Sequence, residues 1–139
     1  MLKKTITYED FDGQSRTEDF YFNLTKAELT EMELSFNGGL SQFLEKIVKE
    51  NDQSKIIEYF KKIVLMSYGQ KSLDGRTFVK NEALRDEFAS TMAYSEIFME
   101  LATDADKAAD FVNGIIPKVD PQDNKAPSRN PKNLPADNN

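Results

Sequence analysis

Two stretches of alternating polarity flank Asp12-Gly13 and run straight into a helix-capping box, an order of signals that commits residues 1–30 to a hairpin followed by a helix. Residues 2–8 and 16–22 read as the strands, with the Asp-Gly pair supplying positive φ at the reversal. Ile6, Tyr8, Phe20 and Phe22 then share one face, and Thr5, Thr7, Thr17 and Asp19 share the other. A two-stranded ribbon is marginal in water, so the apolar face must pack on helices or extend a sheet in a neighbouring subunit. The strand edges that carry Ile6, Tyr8, Phe20 and Phe22 are therefore a candidate oligomer contact, tempered by the charges of Lys3, Lys4, Glu18 and Asp19.

After the hairpin, Thr25 caps a helix and Glu28 returns a bond to the Thr25 amide, with Leu24 and Leu29 as the staple around that box. Leu29, Met32 and Phe36 form its stripe, and Gly38-Gly39 stops it. Leu40, Phe43, Leu44, Ile47 and Val48 mark a second helix over 41–50. A third, capped by Asp52 and running to about Tyr68, carries Ile56, Ile57, Phe60, Ile63 and Val64, and Gly69 ends it. Residues 72–77, centred on Asp74-Gly75, form a turn or a very short hairpin. Asn81 caps a fourth helix with Leu84, Phe88 and Met92; a fifth begins near Ala93, as a separate helix or as the continuation of a kinked one. Thr103 caps the last, which bears Ala108, Phe111 and Val112 and ends at Asn113-Gly114 before Pro117.

All five prolines lie from Pro117 onward, among Asn, Asp and Lys, with Val119 and Leu134 as the sizeable apolar side chains. Ordering such a segment costs about 1–2 kcal/mol per residue in backbone entropy, and two aliphatics return only about 1.5–3 kcal/mol each. Residues 117–139 are thus expected to be a disordered tail, and 1–116 a single folded domain, with the hairpin in 2–23 and the helices within 25–114. The fold class is α+β, mostly α: an N-terminal β-hairpin packed on a bundle of about five helices. A core is feasible at 139 residues without disulfide or metal.

Much of enzyme chemistry is subtracted by what the chain lacks. It has neither Cys nor His, which removes thiolate nucleophiles, disulfides, the commonest metal ligands and the commonest general base near neutral pH. A net charge of −6 repels phosphate backbones, and no basic stripe interleaves with aromatics, so nucleic acid is not an expected partner. The longest apolar run, 63–66, is far too short for a membrane span, and no apolar leader core follows Met1, so a soluble cytoplasmic protein is expected. Asp10-Phe11-Asp12-Gly13 lacks the later ligands of a calcium loop, and Asp104 and Asp106 suit the positive end of a helix dipole. No catalytic, cofactor or metal residue is nominated.

The informative surplus lies at residues 94–101, where Tyr94, Phe98 and Met99 crowd the helix and the adjacent Phe98 and Met99 cannot share one narrow stripe. Either the core face is broad, or one of these side chains faces a partner.

Three continuous phrases carry a family resemblance: Lys4-Thr5-Ile6-Thr7-Tyr8; Asp12-Gly13 leading to 18–28, from Glu18-Asp19-Phe20-Tyr21-Phe22 to Lys26-Ala27-Glu28; and 94–105 with Phe111-Val112-Asn113-Gly114-Ile115-Ile116-Pro117. Over about residues 4–117 the chain resembles the small tail assembly chaperones of long-tailed bacteriophages. The resemblance implies a non-catalytic protein that holds the tape measure protein soluble, helps recruit tail tube subunits, acts in the cytoplasm of the infected host and is absent from the finished virion. It implies tape measure and tail tube partners, the latter met directly or through a longer frameshifted form, and allows a homo-oligomer. Pro131-Lys132-Asn133 can be encoded with a slippery heptamer, although an ordinary tail explains the same residues. The alternative from a different class is a structural tail or head–tail connector subunit of the virion.

Overall fold

The computed structural model describes residues 1–35, 49 and 53–117. The expected helix over 41–50, the Gly38-Gly39 stop, the Asp52 cap and the tail from 118 lie outside the described residues, as does the side chain of Met32. Elsewhere the order is β1 (Leu2–Glu9), β2 (Ser15–Phe22), α1 (Lys26–Ser35), α2 (Gln53–Ser67), β3 (Tyr68–Lys71), β4 (Phe78–Val79), α3 (Glu82–Ala89), α4 (Met92–Thr103) and α5 (Ala105–Ile115).

The hairpin forms with the expected faces, in a register that sets Ile6 opposite Glu18 and Thr5 opposite Asp19. Its loop is longer than a two-residue reversal. The Gly13 amide donates to the Asp10 carbonyl (3.0 Å) and the Asp10 amide to the Gln14 carbonyl (2.8 Å), with Gly13 at φ 81°. This is a three-residue loop ending in a left-handed glycine, braced by the Asp10 carboxylate, which accepts from the amides of Asp12 and Gln14 and from Arg16 Nε.

The hairpin does not stand alone. β3 and β4 extend it to a four-stranded antiparallel sheet of order β1-β2-β3-β4. The sequence reading that carried the third helix through Tyr68 is corrected here: α2 stops at Ser67, whose carbonyl accepts the Asn23 amide at 2.8 Å, so the helix end is satisfied by the chain leaving β2. Gly69 is not a helix stop but a strand residue opposite Tyr21. A Cβ there would lie 2.8 Å from both Phe78 Cε2 and the Val79 carbonyl, so only glycine lets β3 and β4 approach this closely.

Helix boundaries follow the caps. Thr25 and Glu28 exchange both bonds of the box, amide to Oε1 at 2.8 Å and amide to Oγ1 at 3.1 Å. Asn81 Oδ1 accepts the Leu84 amide at 2.8 Å, and Thr91 Oγ1 accepts the Tyr94 amide at 3.1 Å, so α3 and α4 are two helices rather than one kinked one. Asp104, not Thr103, caps α5, because its carboxylate receives the amides of Asp106 and Lys107 while Thr103 donates back to the Met99 carbonyl. α5 also runs past Asn113-Gly114 to Ile115, whose carbonyl is closed by the Leu24 amide at 2.8 Å.

The even-numbered sheet face carries the core. Ile6, Phe22 and Leu24 bury against Phe60, Ile63 and Val64 of α2, Phe88 of α3, Ile97 and Leu101 of α4, and Phe111 and Ile115 of α5. Tyr68 and Phe88 stack at 4.1 Å and 10°, and the Phe22 ring meets Phe88 and Phe111 edge-on at 5.8 and 5.2 Å. Ile57, placed on the α2 stripe by sequence, is instead exposed.

Candidate partner-binding site

β1 is the outermost strand of the sheet, and α4 and α5 pack beneath it. Between them lies an open groove of about 490 Å³, lined by Thr5, Ile6 and Thr7 of β1 and by Glu96, Met99, Glu100 and Thr103 of α4, with Asp104 and Lys107 beyond. Met99 is 53% exposed, an unusual state for a thioether beside a buried isoleucine.

Charge is fixed around the groove by pairing across elements. Lys4, turned inward from β1, pairs with the Glu100 carboxylate, which Lys107 approaches at 4.0 Å from the first turn of α5. On the opposite sheet face, Thr5 Oγ1 donates to Asp19 at 2.6 Å and the hydroxyls of Thr7 and Thr17 bond at 2.9 Å. The hydroxyls of Thr5, Thr7 and Thr103 are thus engaged in bonds within the fold. Among the described residues no group of acidic side chains could hold a metal ion, and no helix is long and apolar enough to cross a membrane. Chemically the groove offers a docking surface: an apolar floor, polar walls and an open strand beside it.

The three residues singled out on α4 do not act together. Tyr94 and Phe98 pack ring to ring at 5.9 Å, half-buried, and Tyr94 stands edge-on to Phe88 at 5.5 Å. Burial pushes the Tyr94 phenol above its ordinary pKa. Met99, one residue on, lines the groove instead, as does Ile6. Of the residues proposed for an oligomer edge, Phe22 is fully buried and Ile6 nearly so, while Tyr8 and Phe20 are half-buried with rings 6.5 Å apart. Tyr8 donates to Glu18, and that bond, followed by burial, raises the Tyr8 pKa. What faces outward is the backbone of β1, not these side chains.

Sequence reasoning passed over two apolar residues at the hairpin tips, Phe11 and Leu73, both strongly exposed. Antiparallel order places the β1–β2 and β3–β4 turns at the same end of the sheet. The signal was present: Phe11 sits between Asp10 and Asp12, and Leu73 between Ser72 and Asp74, where turn-forming neighbours leave an apolar side chain nothing to pack on.

Neither the curated proteins nor the solved structures contain a significant match to this sequence. A family model does match, and it covers residues 1–133, hairpin, helices and most of the remaining chain together. With nearly the whole length matched, the chain belongs to the phage tail assembly chaperone family.

Proposed function

We propose that this chain is the assembly chaperone that binds the tape measure protein, keeps it soluble, and helps bring tail tube subunits to it, without catalysis. The observation that carries the reading is Met99, an exposed apolar side chain beside an open strand edge, in a member of a tail assembly chaperone family. A long helical client presents repeated apolar faces, and a polar groove with an apolar spot at Met99 suits transient binding to such a surface. The half-buried Tyr94 and Phe98 widen the apolar surface of α4. Tube recruitment is direct or passes through a longer form made by frameshifting near Lys132-Asn133. The site of action is the cytoplasm of the infected host, and the protein leaves before the virion is complete.

Gel filtration of the purified chain with a tape measure protein tests the reading. Co-elution supports it, whereas separate elution at micromolar concentration removes it. Mass spectrometry of mature particles separates a chaperone from a structural tail or connector subunit, which would be found there in stoichiometric amounts.

A further inference from the structure

The two edges of the sheet are unequal. β4 is two residues long and closes on Lys80, whereas β1 exposes eight residues with no strand beyond it among the described residues. Long open edges invite pairing and are commonly blunted. The hydrogen-bond phase of β1 follows from the loop. Because the Asp10 amide bonds the Gln14 carbonyl, alternate residues Tyr8, Ile6 and Lys4 turn their backbone groups toward β2. Lys3, Thr5, Thr7 and Glu9 therefore turn theirs outward. The same alternation on β2 is confirmed at its far side, where the Asn23 amide bonds Ser67 beyond the Tyr21–Gly69 pair.

We infer that β1 pairs antiparallel with β1 of a second copy of this chain, about a two-fold axis at Ile6, to join two four-stranded sheets into one. In that register Thr5 lies opposite Thr7 of the other copy and Lys3 opposite Glu9, each a hydrogen-bonded pair made by residues whose backbone groups already point outward. The charges complement one another twice over. Lys3 and Glu9 are both exposed, and neither has an ion-pair partner among the described residues. Shifting the register by two residues either way places Lys3 opposite Thr7 or removes its strand partner, so the charges select one alignment of one sequence against itself.

A two-fold perpendicular to the sheet keeps each copy's Ile6 and Tyr8 on the helical side, over the groove where Met99 is exposed. The Lys3 charge that would repel an indiscriminate strand thus favours a second copy. The inference concerns self-association only, and it stands whether or not the tape measure protein is the client.

Sedimentation equilibrium of the full chain tests it. The native chain is expected to show a monomer–dimer equilibrium. Lys3→Glu or Glu9→Lys alone sets like charges opposite each other at both ends and weakens the dimer about tenfold or more. The double variant carrying both changes restores it. Thr7→Pro removes an outward amide and no backbone bond of the hairpin, only the exposed Thr7–Thr17 hydroxyl contact, so it yields a monomer with an unchanged circular dichroism spectrum. Register is read by mixing Thr5→Cys and Thr7→Cys chains, which cross-link to each other in a protein otherwise free of cysteine. A chain monomeric at all concentrations, or an oligomer indifferent to the charge reversals and to Thr7→Pro, overturns the inference.

Discussion

The Lys80 ammonium donates to the Glu28 carboxylate at 2.8 Å, joining the end of β4 to the first turn of α1. Lys80 also donates to the Asn23 carbonyl, and Glu28 simultaneously accepts the Thr25 amide. Asn23 and Leu24, in the same short link, close the last carbonyls of α2 and α5. One junction of residues 23–28 therefore ties the sheet to three helices, and the ion pair holds it from the fourth strand.

Replacing Lys80 by Met should destabilise the fold by about 2 kcal/mol, because it leaves Glu28 and the Asn23 carbonyl partly buried without their cation. Glu28→Ala removes the capping box as well and should cost at least as much. Urea denaturation of the two variants checks both values. A loss below about 0.5 kcal/mol for each would show that the pair is ordinary surface charge.

Acid should weaken the protein through its hydrogen-bonded carboxylates. Burial alone pushes the Glu28 carboxyl up, but the Lys80 ammonium and the Thr25 amide outweigh it and hold the group below its ordinary value. Asp10 is lowered by Arg16 and by the Gln14 and Asp12 amides, and Asp74 by the Arg76 amide and the Ser72 hydroxyl. Folded values below the unfolded ones mean fewer protons bound in the folded state. That stability is present above the ordinary carboxylate range and is lost as pH falls through the depressed values. The urea midpoint should therefore drop between about pH 6 and about pH 3, and less steeply in Glu28→Gln. An unchanged slope in that variant would contradict the assignment.

Gly69→Ala should cost about 1–3 kcal/mol, since the added methyl meets the Val79 backbone at 2.8 Å and backbone cannot give way. Gly114→Ala makes the contrast. The nearest atoms its Cβ would meet all belong to the Leu2 side chain, at 3.0 Å for Cδ1, and about 1 kcal/mol of helix propensity offsets the crowding. Thermal melts of the pair should separate them clearly, and equal losses would show that the close approach of β3 and β4 is not what demands glycine.

These two glycines also show how far the sequence was legible. The hairpin, the Thr25–Glu28 box and the Asn81 cap are local devices, each written within a few residues, and they appear in the structure as read. Gly69 and Gly114 were both taken as punctuation because glycine stops helices as readily as it permits close packing. What decides between those roles is a partner distant in sequence, Phe78 and Val79 in one case and Leu2 in the other. The addition of β3 to the hairpin was hidden for the same reason: four residues without alternation carry no periodic signal, and the pairing partner is Tyr21. In the candidate site, Met99 was visible as a surplus apolar residue that could not share a stripe with Phe98, but which of the two would lie open depended on where β1 would pack.

Phe88→Ala should be the most damaging of the core changes, about 3–5 kcal/mol, because its ring stacks on Tyr68 and also meets Phe20, Phe22 and Tyr94. Loss of the near-ultraviolet dichroism of the tyrosines in a still helical protein would report the unstacking, and a variant as stable as the native chain would contradict it.

Met99→Glu leaves the core untouched and places a charge in the groove. It should lower affinity for the tape measure protein about tenfold while leaving the melting temperature within a few degrees. An unaltered affinity would move the client to another surface, with Phe11 and Leu73 at the hairpin tips the next to be replaced.

The soluble fraction of a tape measure protein expressed with and without this chain tests the central claim most directly. The client, insoluble alone, is expected to become soluble and to co-purify with the chain. A client that stays in the pellet beside abundant soluble chain would contradict it.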